Sequence, residues 1–238
     1  MTMRSLTLPA MLAAGAIAAG ACDSSTTGPA YDPQIPAAWA AAVSNPHFPL
    51  AVGTTYRYEA QTADGLETIT VEVLPSTRVI SGVTAVEVRD RVYLDGVLIE
   101  DTYDWYAQDD AGNVWYLGED TKEYENGQVV STEGSWEWGV GGALPGIIMW
   151  ADPAAHVGEQ YRQEFFRGEA EDWGRVVAVN ESVTVPFGSF TGCLKIEEWN
   201  ALEPGPHEHK YYCAQIGTVL EVAGGSGERV ELISVTTP

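Results

Sequence analysis

Three dipeptides constrain this chain more than anything else in it: Asp64-Gly65, Asp95-Gly96 and Asn126-Gly127, each set between alternating β-rich runs. A tight hairpin turn needs positive φ, which Gly supplies freely and Asn or Asp tolerates. "TTYRYEAQTADGLETITVEVL", "TAVEVRDRVYLDGVLIEDTYDWYAQ" and "VWYLGEDTKEYENGQVVSTEGSWEW" therefore read as antiparallel hairpins. No long segment holds a 3.6-residue period, so the expected fold is an all-β antiparallel meander. One short N-terminal helix is expected over residues 35–44, "IPAAWAAAVS".

The meander is also self-similar, which points to a duplicated unit. "VGTTYRYE" from Val52 recurs as "VGEQYRQE" from Val157, and "VEVLPSTRVISG" from Val71 recurs as "VAVNESVTVPFG" from Val177. "DWYA" from Asp104 recurs as "KYYC" from Lys210, and "GNVWYL" from Gly112 as "GTVLEV" from Gly217. All four pairs share an offset of 105 or 106 residues. Two related β units, residues 47–139 and 152–238, are thus expected to form one curved sheet or open barrel, joined by a Gly-rich linker over residues 140–151.

The N-terminus carries an address. Arg4 precedes an apolar run from Leu6 to Ala21 that is too short to cross a membrane as a mature helix, so residues 1–21 read as an export signal. The close "AGAC" resembles a bacterial lipobox, which implies a lipid anchor on Cys22. Residues 22–46 then read as a polar tether. The expected location is the bacterial cell envelope. A formal charge of −22 argues against a nucleic-acid partner, because phosphate contacts need clustered Lys and Arg.

"VTVPFGSF", followed downstream by "YYCAQIGTV", resembles the VPxGxF…YYAPGVGxV pattern of uncharacterised exported bacterial β-proteins. The match covers Val183–Val222 and departs from the pattern at "CAQIG". In fold those proteins are similar to the curved sheets of lipoprotein carriers, which take acyl chains on the concave face. The resemblance implies a fold and an export route, not an activity.

A two-residue loop at Asp95-Gly96 sets Asp90 opposite Asp101, Val88 opposite Tyr103 and Val86 opposite Trp105 on one face. That face is largely apolar and is expected to point inward. Extending the register places Asp90, Asp101, Asp120 and Glu133 in one row across four strands. Such a row repels itself unless a cation such as Ca2+ joins it or some members stay protonated. Tyr103, Trp105, Tyr116, His207, His209 and Tyr211 are expected to line the same concave side. The compartment favours a Cys193–Cys213 bond, whereas the register carried over by 106 sets Cys193 outward and Cys213 inward. Both readings stay open.

No nucleophile elbow and no phosphate-binding glycine loop is present in the sequence. The expected function is therefore that of a lipid-anchored extracytoplasmic binding or scaffold protein rather than an enzyme. Its concave sheet would receive an apolar small molecule or a protein partner. The alternatives are an envelope glycan hydrolase acting through an acidic pair and a calcium-binding structural lipoprotein.

Overall fold

Backbone pairing organises everything in the structure, a computed structural model that describes residues 31–203 and 205–238. The export signal and Cys22 lie outside those residues. Two short strands, β1 (Ser44–Asn45) and β2 (Phe48–Pro49), pair with each other. A continuous meander follows: β3 (Thr55–Gln61), β4 (Leu66–Ile80), β5 (Val83–Leu94), β6 (Val97–Gln108) and β7 (Val114–Glu125). The short β8 (Gln128–Ser131) and β9 (Trp136–Glu137) also pair with β7. β10 (Leu144–Met149) then continues the ring.

The second half of the chain lays down β11 (Gln160–Arg162), β12 (Glu164–Phe165), β13 (Asp172–Val185), β14 (Gly188–Asn200), β15 (Glu208–Cys213), β16 (Gly217–Val222) and β17 (Arg229–Thr236). β17 pairs with β3, and β10 pairs with β12. The ring path begins at β11 and ends at β12, which are separated only by Gln163. The sheet is therefore antiparallel and nearly closed, like a barrel. Gly146 marks the seam, because a Cβ there would sit 2.3 Å from the Gln163 carbonyl carbon.

Turn chemistry explains the hairpins. Asp95-Gly96 (φ 48° and 80°) and Asn126-Gly127 (φ 51° and 75°) form two-residue turns with positive φ at both positions. Ser81-Gly82 makes a third, with φ 48° and 84°. At Asp64-Gly65 the loop is longer, and the Thr62 hydroxyl accepts both N–H groups at 3.2 Å.

Three expectations fail here. Residues 35–44 form no helix; the chain runs across the barrel as a strap. Ala40 N–H donates to the Gln108 carbonyl at 2.8 Å, and Trp39 bridges to Asp109 while its ring meets Trp115 at 6.0 Å. The end of β6 offers the backbone of this stretch a partner, and that pairing replaces the helix. The tether reading fails over the same stretch, since Tyr31 donates to the Pro145 carbonyl at 2.9 Å. Residues 140–151 are not a linker either. They contain β10, whose Ile148 and Met149 are completely buried.

Apolar side chains form two clusters. Tyr58, Ile69, Val88, Tyr106, Tyr116, Ile196 and Leu232 belong to the larger one, which fills the barrel. Trp105, Trp115, Leu117, Ile147 and Tyr161 belong to the second. Neighbours on β7 divide between them, so that strand is covered on both faces.

Cys193 and Cys213 are bonded, with Cα atoms 4.3 Å apart. The β14–β15 register, in which Leu194 faces Tyr212, sets the two cysteines directly opposite. This settles the question that the transferred register left open. The bond closes a 20-residue separation, so exchanging both cysteines for alanine should cost about 2–5 kcal/mol. Chemical denaturation of the double variant checks this, and reductant should leave that variant's stability unchanged.

Candidate functional site

Register decides which carboxylates enter the barrel. β5 and β6 begin in the expected pairing, Leu94 with Val97, but β6 then carries one extra residue. Tyr93 faces Leu98 while Val92 faces Glu100, leaving Ile99 in a β-bulge. Every later side chain on β6 therefore changes face. Asp101 now faces Arg91 and receives two hydrogen bonds from the Arg89 guanidinium, both at 2.7 Å. Asp120 pairs with Lys122 at 2.7 Å on the outer surface, and exposed Glu133 lies beyond the end of β8. Of the expected row only Asp90 is inside. Among the described residues no cluster of His, Cys, Asp or Glu is arranged to hold a metal ion.

The expected concave lining is redistributed for the same reason. Tyr103 faces Asp120 on the outer surface, beneath the Arg89 guanidinium at 5.2 Å. Trp105 is buried in the second cluster, donates to Glu87 at 3.0 Å and carries Arg78 over its ring at 4.2 Å. Tyr116 is interior and fully buried. His207, His209 and Tyr211 alternate with the interior residues Glu208, Lys210 and Tyr212, and so project outward. His207 stacks on Trp199 at 4.7 Å and shares a hydrogen bond with Glu197 at 2.8 Å.

What the barrel does enclose is a belt of acids. Glu67, Asp90, Glu100, Asp104, Glu119, Glu164, Asp172, Glu198, Glu208 and Glu221 are all buried. Among the described residues Lys210, 1 % exposed, is the single buried Lys or Arg. Its ammonium lies 3.0 Å from Glu198, 3.3 Å from Glu208 and 3.8 Å from Glu221. None of these contacts has aligned hydrogen-bond geometry, so charge rather than direction holds the lysine. Burial alone would favour loss of its proton, but the three glutamates outweigh burial and raise its pKa.

Burial works against ionisation in five of these ten acids. Burial pushes Asp104 from 3.8 up to about 8, although the Tyr116 hydroxyl donates to it at 2.6 Å. Glu119, Glu164, Asp172 and Glu221 are driven well above the ordinary carboxylate range, first by burial and then by neighbouring carboxyls. Trp136 Nε1–H donates to Glu164 at 2.6 Å, and Tyr212 donates to Glu198 at 3.0 Å. Asp104, Glu119, Glu164, Asp172 and Glu221 are thus held toward the neutral form within a belt that carries one ammonium.

Free interior space is small. A cavity of about 60 Å³ reaches Asp90 and Asp104 between Tyr58, Val88, Tyr106 and Tyr212. That holds a few waters and no more. A second opening lies outside the belt. It measures about 620 Å³, between the Tyr31–Pro36 strap, Trp115, and the diverging strands β10 and β11. Ligand sites usually measure about 300–1,000 Å³, so this groove is large enough and the interior is not. Sequence patterning missed it because the strap was read as a tether and β10 as a linker.

No family model matches the chain, and no curated protein matches it. A solved structure of a candidate lipoprotein from Parabacteroides distasonis overlaps 80 % of this chain and 98 % of its own, at 12 % identity and a TM-score of 0.43. A likeness at that level carries no argument about this chain.

Two results are expected from the belt. Lys210→Met should cost about 3–5 kcal/mol near neutral pH, because it strips the buried glutamates of their counter-charge. Asp104 has a raised folded pKa, so its contribution is complete below about pH 4 and is lost as pH rises through about 8. Asp104→Asn keeps an acceptor for Tyr116 and should flatten that decline. Melting temperatures of the wild type and both variants across pH check these expectations.

Proposed function

We propose that this chain is an extracytoplasmic binding protein, lipid-anchored through Cys22, which takes a small ligand in the groove between the strap and strands β10 and β11. The supporting observation is the contrast in space: about 620 Å³ in the groove against about 60 Å³ inside the barrel. An apolar ligand on the concave face has no room there, because the interior is occupied by side chains.

The hydrolase alternative finds little support. The Glu208 and Glu221 carboxyls and the Glu164 and Asp172 carboxyls are sealed from solvent, and Asp101 is closed by Arg89. A bilayer-embedded barrel is disfavoured by the charged pairs on the outer face, among them Arg89–Asp101, Arg91–Glu72 and Arg175–Glu197.

Two measurements test the reading. Cys22→Ser, expressed in a bacterium, should leave the membrane fraction for the soluble one; continued membrane association contradicts the anchor. Native mass spectrometry of the purified chain should show a retained small mass. Gln160→Trp fills the groove from an exposed position and should lose it. A retained mass indifferent to this substitution contradicts the groove.

A further inference from the structure

The small cavity inside the barrel differs from the groove in the charge its wall can carry. Asp90 on β5 and Asp104 on β6 line it, and among the described residues no Lys, Arg or His does. Lys210 does not make up the difference, since its ammonium is already surrounded by Glu198, Glu208 and Glu221. Whatever charge this wall carries is therefore negative, which favours a cation.

The polar atoms of the wall are acceptors. Asp104 is 1 % exposed, and the Tyr116 hydroxyl donates to its Oδ1 at 2.6 Å. Its Oδ2 is buried and has no hydrogen-bond partner among the described residues. Tyr58 and Tyr56 already donate their hydroxyl protons, to the Thr218 carbonyl at 3.0 Å and the Pro49 carbonyl at 3.3 Å. Their oxygens keep lone pairs that can accept. A buried acceptor without a donor is rare in folded proteins, so Asp104 Oδ2 points to a guest that brings one.

Size and lining narrow that guest. A volume of about 60 Å³ admits a molecule of about two or three heavy atoms. Leu50, Val71, Val88 and Ile216 give the rest of the wall an apolar surface. A divalent metal is poorly served, because Asp104 Oδ1 is committed to Tyr116 and no third acid completes a ligand set among the described residues. A primary ammonium instead offers several N–H donors on a single charge, and a short alkyl end suits the apolar wall.

We infer that this cavity binds a small primary alkylammonium ion, its nitrogen at Asp104 Oδ2 beside Asp90 and its alkyl end against Val71 and Val88. Asp104 is faced by Asp90 from β5, Tyr116 and Glu119 from β7, Glu164 from β12 and Lys210 from β15, with Glu100 and Tyr106 beside it on β6. In that setting burial keeps its proton on up to about pH 8. The ion takes the place of this proton, which leaves for solvent, while the ammonium, like that of lysine, keeps its own.

Thermal melting of the full chain with methylammonium chloride tests the inference, against sodium chloride and tetramethylammonium chloride at equal ionic strength. Methylammonium should raise the melting temperature saturably, and the other two salts should not. Its affinity should tighten about tenfold from about pH 6 to about pH 7 and level off above about 8, as Asp104 loses its proton. In a pH-stat at neutral pH, saturation should release about one proton per chain. Asp104→Asn, which keeps an acceptor for Tyr116, should lose both the shift and the proton. Gln160→Trp fills the groove and should change neither, which separates this site from that one. An equal gain from sodium or tetramethylammonium, a gain independent of pH, or the same gain in Asp104→Asn overturns the inference, as does no gain at all. The size and pH comparisons are read on the wild type, so they decide the matter even where the variant fails to fold.

Discussion

Lys210 is the interaction on which the interior depends. One ammonium sits among Glu198, Glu208 and Glu221 in a barrel that encloses seven further buried carboxyls. Charges cannot be carried into such a place without partners. The chain uses three devices at once: one lysine, a set of tyrosine and tryptophan donors, and burial that holds Asp104, Glu119, Glu164 and Asp172 toward the neutral form. Tyr116, Tyr212 and Trp136 supply hydrogen bonds to Asp104, Glu198 and Glu164. Together with the apolar cluster, these contacts leave little room for a ligand inside.

Closure of the barrel then creates the groove. β11 and β12 lie on either side of Gln163 and pair with different strands, β13 and β10. β10 approaches the Gln163 backbone closely at Gly146, and the groove is lined by Ile147 of β10, by β11 and by the strap from Tyr31 to Pro36. A groove built this way draws on residues 31–36, the middle of the sheet and the second half together. Its position beside Tyr31 places it within nine residues of Cys22.

How much of this was legible depended on local chemistry. Asp95-Gly96 and Asn126-Gly127 announced their turns because positive φ has few acceptable residues. The all-β antiparallel class followed from alternation. The bulge at Ile99 has no such signature, and one extra residue was enough to send Asp101 to Arg89 and bring Glu100 and Asp104 inside. Acids in the interior were anticipated in kind, but Asp90 alone was correctly named. The strap misled differently: "AAWAAAV" favours a helix locally, yet Trp39 finds Trp115 and Trp138 across the chain, and tertiary contact prevails. Nothing local marks Trp150, Tyr161 and Arg162 as neighbours of one opening, because β10 and β11 come together only when the sheet closes.

The central claim is that the folded interior holds neutral acids around Lys210. Proton exchange on unfolding measures it directly. At about pH 7.5, above the ordinary histidine value, denaturant-induced unfolding in weakly buffered solution should release several protons. Glu119, Glu164, Asp172 and Glu221 then return to the ordinary carboxylate range. Unfolding with no release, or with net proton uptake, would contradict the account.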